Sequence, residues 1–380
     1  MIRIMTVLGT RPEAIKMAPV IKALQAQPDQ FSCYVCVTAQ HRQMLDQVLD
    51  LFSIRPDIDL NIMRPNQTLP ALTADLLTAI TKVLEKERPD MVLVQGDTTT
   101  CFVAALAAFY QKIPVGHVEA GLRTYDKHAP FPEEANRLLT THLAKLHFAP
   151  TDISKQNLLK ENVPECDTSV TGNTVIDALL WVRDKVKNKI NWGQVFGSAT
   201  DVVMNGKPFI LVTGHRRENF GEGFLQICAA LAELAKQHPT WHIVYPVHLN
   251  PQVQEPVHRI LSAYSNIHLL EPLDYAPFVY LMEKCYLILS DSGGVQEEAP
   301  SLGKPVLVMR EITERPEAVD VGTVALVGTS KERIVDRVNK LISDKACYNK
   351  MTSVGNPYGD GEAAVKIVEV IKGYFKRDKK

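Results

Sequence analysis

Short β-branched runs alternate with longer helical stretches from one end of this chain to the other. That alternation limits the fold more than any other feature. "IRIMTVLG", "SCYVCVTA", "MVLVQGD", "IPVGHVEAG" and "LHFAPTD" read as strands in the first half. "FILVTGH", "HIVYPVH", "IHLLEP", "LILSDSGG", "PVLVMRE" and "VALVGT" do so in the second. Helical patterns at about 12–24, 69–86, 99–110, 133–143 and 223–237 lie between them. Such alternation predicts parallel sheets with helices on both faces, and strands that are apolar along their whole length fit it. The expected fold class is therefore α/β, with two Rossmann-like doubly wound domains facing a cleft.

The pattern restarts after a long polar-faced helix and a Gly- and Asn-rich loop in 171–208, and "GKPFILVTGH" reads as a new first strand. The expected domains are 1–172 and 173–360. A final helix in 361–380 suits packing on either domain, including back on the first. At 380 residues the chain is long enough for two cores.

Charge and cysteine content narrow the partners. Lys and Arg total 42 against 43 Asp and Glu, with no charged block, which argues against nucleic acid as the main partner. The opening "MIRIMTVLGTRPE" breaks at Gly9, too soon for a secretory signal or a membrane span. A cytoplasmic protein with reduced thiols is expected. Cys33 and Cys36 form a CxxC without a second pair, which suits strand packing better than a metal. No metal site and no cofactor are expected.

In open parallel sheets ligands sit at the carboxyl ends of strands, and the chemically loaded residues fall there. Ser292, Gly293 and Gly294 follow the strand "YLILS" and open a helix, a seat for a phosphate or pyrophosphate. Glu298, a turn further on, suits two ribose hydroxyls, while Glu297 reads as a solvated helix face. Thr10 suits an N-cap and Pro12 the first helical position. Arg11 and Lys16 then place cations near a helix start, where the dipole disfavours them unless an anion binds. Arg315 follows another strand. Asp97 ends "VLVQG" and Glu119 ends "PVGHV". Glu133 and Arg137 stand four apart on one helical face, the spacing of an ion pair. These acids carry no metal-ligand spacing, so acid–base work fits them better. His215 follows "FILVTG" beside Arg216 and Arg217, and His248 in "YPVHLNP" is a second histidine at a strand end. No G-x-G-x-x-G follows any strand, which argues against nicotinamide chemistry.

Together these residues resemble the non-hydrolysing UDP-N-acetylglucosamine 2-epimerases of bacteria. The matching strings are "GTRPEAIKMAP", "VTAQHRQMLDQVL", "GDTTT", "PVGHVEAGLRT", "PEEANR", "TGNTVIDALL", "LVTGHRREN", "YPVHLNP", "SDSGGVQEEAPSLGKPVLVMR" and "TERPEAV", with "NPYGDGEA" near the end. They span nearly the whole chain in order. The resemblance implies a fold like the GT-B glycosyltransferases, a homodimer, and interconversion of UDP-N-acetylglucosamine and UDP-N-acetylmannosamine. It implies loss of UDP to a 2-acetamidoglucal, then re-addition, supplying N-acetylmannosamine units for surface polysaccharide. Two faces of sugar carbon 2 require two proton carriers.

By the same resemblance Asp97, Glu119, Glu133 and His215 are the catalytic positions. Arg11, Lys16, His215 and the amides of Ser292, Gly293 and Gly294 hold pyrophosphate. Arg137 and Arg315 are further substrate contacts. Glu298 holds ribose, and Leu273 and Phe278 frame uracil. A second, activating site would comprise Gln40, Gln43, Gln67, Glu133, Arg216 and His248. Two departures weaken that last expectation: Asn66 stands where some members carry Arg, and Gln95 where many carry His. A GT-B glycosyltransferase, a hydrolysing epimerase and a non-enzymatic nucleotide-sugar sensor remain alternatives.

Overall fold

The computed structural model describes residues 1–38, 42–64, 67–186, 192 and 195–377, with the backbone alone at 42, 43 and 186. The chain divides into two compact units, Met1–Ala178 with Tyr358–Lys380, and Leu179–Pro357. The division falls inside the helix Thr174–Val186, a few residues past the expected boundary.

The first unit carries strands β1 (Ile2–Leu8), β2 (Phe31–Val37), β3 (Ile58–Asp59), β4 (Met91–Gln95), β5 (Val115–Val118), β6 (Leu146–Ala149) and β7 (Thr168–Val170). They pair in parallel in the order β3-β2-β1-β4-β5-β6-β7. The second unit carries β8 (Phe209–Thr213), β9 (His242–Pro246), β10 (Ile267–Leu270), β11 (Leu287–Ser290), β12 (Val306–Val308) and β13 (Val324–Leu326). Their order is β10-β9-β8-β11-β12-β13, again parallel. Each sheet reverses direction beside its first strand, between β1 and β4 and between β8 and β11. Loops at such a switch point diverge and leave room for a ligand.

Burial explains the strand sequences. Every residue of β4, β5 and β11 is buried. On the helix Leu69–Glu87, Leu72, Leu76, Ile80 and Leu84 recur every fourth residue and bury against Val92 and Val94. The facing helix Thr99–Tyr110 presents Ala104, Ala105, Ala107 and Ala108, whose small side chains permit close approach. In the second unit Phe224, Ile227, Leu231 and Leu234 pack over Val212, Leu289 and Leu307. Each such side chain contributes about 1.5–3 kcal/mol by leaving water.

The C-terminal helix Ala363–Arg377 joins the first unit, where it packs on the helix Arg11–Gln25. Asp177 fastens its start by accepting the amides of Ala363 and Ala364. Cys33 and Cys36 lie on β2, and burial pushes both thiols up to about 12. No helix among the described residues is long and apolar enough to cross a membrane.

Candidate active site

At the switch point of the first unit, Gly9 passes close to two threonines. A Cβ there would come within 2.4 Å of Thr38 Oγ1 and 2.5 Å of Thr100 Oγ1. Thr10 caps the helix Arg11–Gln25 and Glu13 completes a capping box, so Arg11 opens the helix and Pro12 takes the second position. Glu13 Oε2 accepts the amides of Gly9 at 3.0 Å and Thr10 at 2.8 Å. Its Oε1 accepts the Thr98 hydroxyl at 2.6 Å. One buried carboxylate thus ties the loop after β1 to the turn after β4. Burial raises its pKa against the pull of these hydrogen bonds.

That turn carries Asp97. Gly96 supplies its positive φ of 72°, and the Gly96 carbonyl faces His117 Nε2 at 2.7 Å. Because a carbonyl only accepts, His117 carries its proton on Nε2. Arg137 grips Asp97 Oδ2 from Nε and Nη2, and sends Nη1 to Glu134 at 3.0 Å. The expected Glu133–Arg137 pair does not form. The whole guanidinium fork is occupied by Asp97 and the fully buried Glu134, while Glu133 stands half-buried at the first position of its helix. Burial disfavours the Arg137 charge, but Asp97 and Glu134 outweigh it and raise the pKa.

Glu119 follows β5 with a left-handed φ of 64°, a conformation uncommon for a residue with a side chain. Its Oε1 meets Lys16 Nζ at 2.5 Å and Asn173 Nδ2 at 3.3 Å, and Oε2 takes the Gln95 amide. Lys16, expected at a pyrophosphate, is the counter-ion of Glu119. Arg11 is half-buried and makes no ion pair among the described residues.

In the second unit, His215 and Arg216 follow β8 and Asp291 follows β11, the neighbouring strand. Their amides both reach Asp291 Oδ2 at 2.8 Å. The His215 ring stacks on His248 at 5.4 Å and 19°. Burial lowers the His215 pKa, Asp291 raises it, and His248 and Arg216 lower it further.

Ser292 caps the short helix Gly293–Glu298 without a side-chain cap bond. Arg315 lies so close over Gly293 that a Cβ there would meet Nη1 at 2.6 Å. Glu297 is not a solvated face. It is almost fully buried and holds Arg315 Nε at 2.6 Å, a partner that periodicity could not reveal. Arg315 also meets Glu314 at 2.7 Å. Glu298 is buried, with Oε1 bonded to the Tyr275 hydroxyl. Leu273 and Phe278 are both half-buried, in the loop after β10 and on the helix Tyr275–Lys284. Gln67 bonds Asp75 at 2.8 Å. Gln40, and the side chain of Gln43, lie outside the described residues.

The family model "UDP-N-acetylglucosamine 2-epimerase" matches residues 22–372. The chain belongs to the UDP-N-acetylglucosamine 2-epimerase family. It is 61% identical to the UDP-N-acetylglucosamine 2-epimerase of Yersinia pestis, over 98% of this chain and 99% of that one. It is 59% identical to the Escherichia coli K12 enzyme of the same name, over 97% and 98%. Among solved structures, the UDP-GlcNAc 2-epimerase of Neisseria meningitidis bound to UDP-GlcNAc superposes with a TM-score of 0.90 at 55% identity, covering 98% of this chain and 100% of that one. The two parallel sheets are thus the GT-B-like fold of this epimerase family.

Four residues that hold strand-end groups in place were not among those expected. Glu13 was legible as the partner of Thr10 at capping-box spacing. Asp291 stands in plain view in "SDSGG" at a strand end. Glu134 was legible as the i,i+3 neighbour of Arg137, though its bonds to the amides of Thr124 and Tyr125 were not, and Tyr275 gave no signal because its partner is remote.

Proposed function

We propose that this chain reversibly inverts carbon 2 of UDP-N-acetylglucosamine, giving UDP-N-acetylmannosamine. The observation that carries the reading is the pair of carboxylates at the ends of adjacent strands, Asp97 on Arg137 and Glu119 on Lys16. Each is held by a cation, as proton carriers at a strand-end site would be. The names of the relatives support the same substrate.

The carbon-2 proton of a sugar is not acidic by itself. In the proposed route a base removes it as the bond from carbon 1 to the phosphate oxygen breaks. The electron pair forms the double bond of 2-acetamidoglucal, and UDP leaves as an anion. Return of a proton to the opposite face of carbon 2, with re-addition of UDP at carbon 1, gives the epimer. The sum is an isomerisation that consumes no oxidant. Asp97, Glu119 and Glu133, with His215, are assigned to proton transfer.

Arg11 and the amides of Ser292, Gly293 and Gly294 are assigned to the pyrophosphate, where they stabilise the departing UDP. Glu298, oriented by Tyr275, is assigned to the ribose, and Leu273 and Phe278 to the uracil. Arg315, which lies over Gly293 and is held by Glu297, is assigned to the substrate as well. Gln40, Gln43, Gln67, Arg216 and His248 are assigned to a second substrate site that activates the enzyme. The working form is a homodimer in the cytoplasm, feeding N-acetylmannosamine units to surface polysaccharide.

The test is chromatographic. Pure protein given either UDP-sugar alone should produce the same mixture of both. Free N-acetylmannosamine with stoichiometric UDP would instead mark a hydrolysing enzyme and contradict the proposal.

A further inference from the structure

Asp291 is fully buried and carries more than a structural carboxylate needs. It follows β11 directly beside the end of β8, where Ser290 pairs with Thr213. One oxygen, Oδ2, accepts the amides of His215 and Arg216 at 2.8 Å each and the Asn219 amide at 3.3 Å. The other, Oδ1, has no hydrogen bond, and His215 Nδ1 stands 3.3 Å from it. A buried carboxylate oxygen left without a donor is costly, so a small ring rotation that brings N–H to it is favoured.

We propose that Asp291 is a positioning residue that holds His215 as the Nδ1–H tautomer, leaving Nε2 to the substrate. The inference rests on the epimerase reading only for what Nε2 then does. Asp291 does not touch the sugar in this account; it acts through the imidazole, as a carboxylate orients a base in other enzymes.

The surroundings of the ring make Asp291 decisive. Its stacked neighbour His248 accepts the Asn250 amide on Nδ1 at 3.1 Å, so His248 carries its own proton on Nε2. Arg216, His248 and partial burial all oppose a positive charge on His215. Among the described residues, Asp291 is the neighbour that favours it. With the carboxylate present, His215 can donate a proton or a charged hydrogen bond to a departing phosphate and recover it on return. Without it, the ring is a weaker base with the wrong nitrogen protonated.

The test is nitrogen-15 NMR of the histidine rings in the labelled full-length protein, with His215 assigned by its loss in His215→Gln. The wild type should show a proton on Nδ1. Asp291→Asn should move the proton to Nε2 and lower the His215 titration by about 1 to 3 pH units. It should reduce kcat about 100-fold with KM nearly unchanged. A wild-type ring protonated on Nε2 overturns the proposal, as does a His215 titration that Asp291→Asn leaves unmoved. The tautomer is read without turnover, so a protein that fails to epimerise would sink the epimerase reading and leave this result standing. If Asp291→Asn fails to fold, the wild-type tautomer alone decides.

Discussion

Arg137 holds one oxygen of Asp97 with two nitrogens, Nε at 2.9 Å and Nη2 at 2.6 Å. The guanidinium is mostly buried and its third nitrogen is spent on Glu134. Asp97 is therefore an oriented carboxylate, and Arg137 is what orients it. Arg137→Gln should leave UDP affinity near normal by calorimetry and lower kcat about 100-fold or more. Asp97→Asn should behave the same way. Turnover close to wild type in either variant would remove Asp97 from the proton-transfer set.

Lys16 and Glu119 make a buried ion pair, with side chains 15% and 5% exposed. Breaking it from one side leaves a charge without its main partner. Lys16→Met alone should cost about 3–5 kcal/mol in denaturant unfolding. Adding Glu119→Gln should recover most of that loss, while activity stays low. Strictly additive losses would show that the pair is not coupled.

Glu13 serves both the helix start and the turn that carries Asp97, which it reaches through Thr98. Glu13→Gln keeps the volume but turns an amide toward N–H groups that need an acceptor. It should destabilise the chain by about 1–3 kcal/mol. Because the side chain must shift away from those N–H groups and carries the Thr98 contact with it, kcat should fall as well, by about tenfold, even under conditions where the variant is fully folded. Stability lost without any change in kcat would confine Glu13 to helix capping.

Acid should weaken the fold through His117. Burial lowers its pKa from 6.5 to about 3. Between those values the unfolded chain binds a proton that the folded chain refuses. Stability therefore rises with pH across this window and is lost as pH falls below about 6.5. Each pH unit inside the window is about 1.4 kcal/mol for one such group. His117→Gln should flatten the fall in urea midpoint between pH 6.5 and 5. Parallel curves for variant and wild type would show that His117 is not the group responsible.

The strands and the site differ in how far they could be read. Buried parallel strands announce themselves as apolar runs, and the carboxyl end of each run located Asp97, Glu119, His215 and Ser292. The edge strands β3 and β7 are only two and three residues long and lack that signature. Backbone pairing with a neighbour defines them, and that is a tertiary fact. Partners across the fold were equally hidden. Glu297 looked solvated because its guanidinium comes from a loop eighteen residues on. Arg137 fitted an i,i+4 pair with Glu133, yet Asp97, forty residues away in the chain, outcompeted it. Three hydrogen bonds to two other carboxylates leave the guanidinium nothing for Glu133.

The most direct test of the central claim is proton NMR of UDP-N-acetylglucosamine incubated with the pure protein in heavy water. Epimerisation by proton exchange predicts UDP-N-acetylmannosamine with deuterium at carbon 2, and progressive loss of the carbon-2 proton from the substrate pool. A product that keeps its original carbon-2 proton would contradict the mechanism, and an unchanged spectrum would contradict the activity.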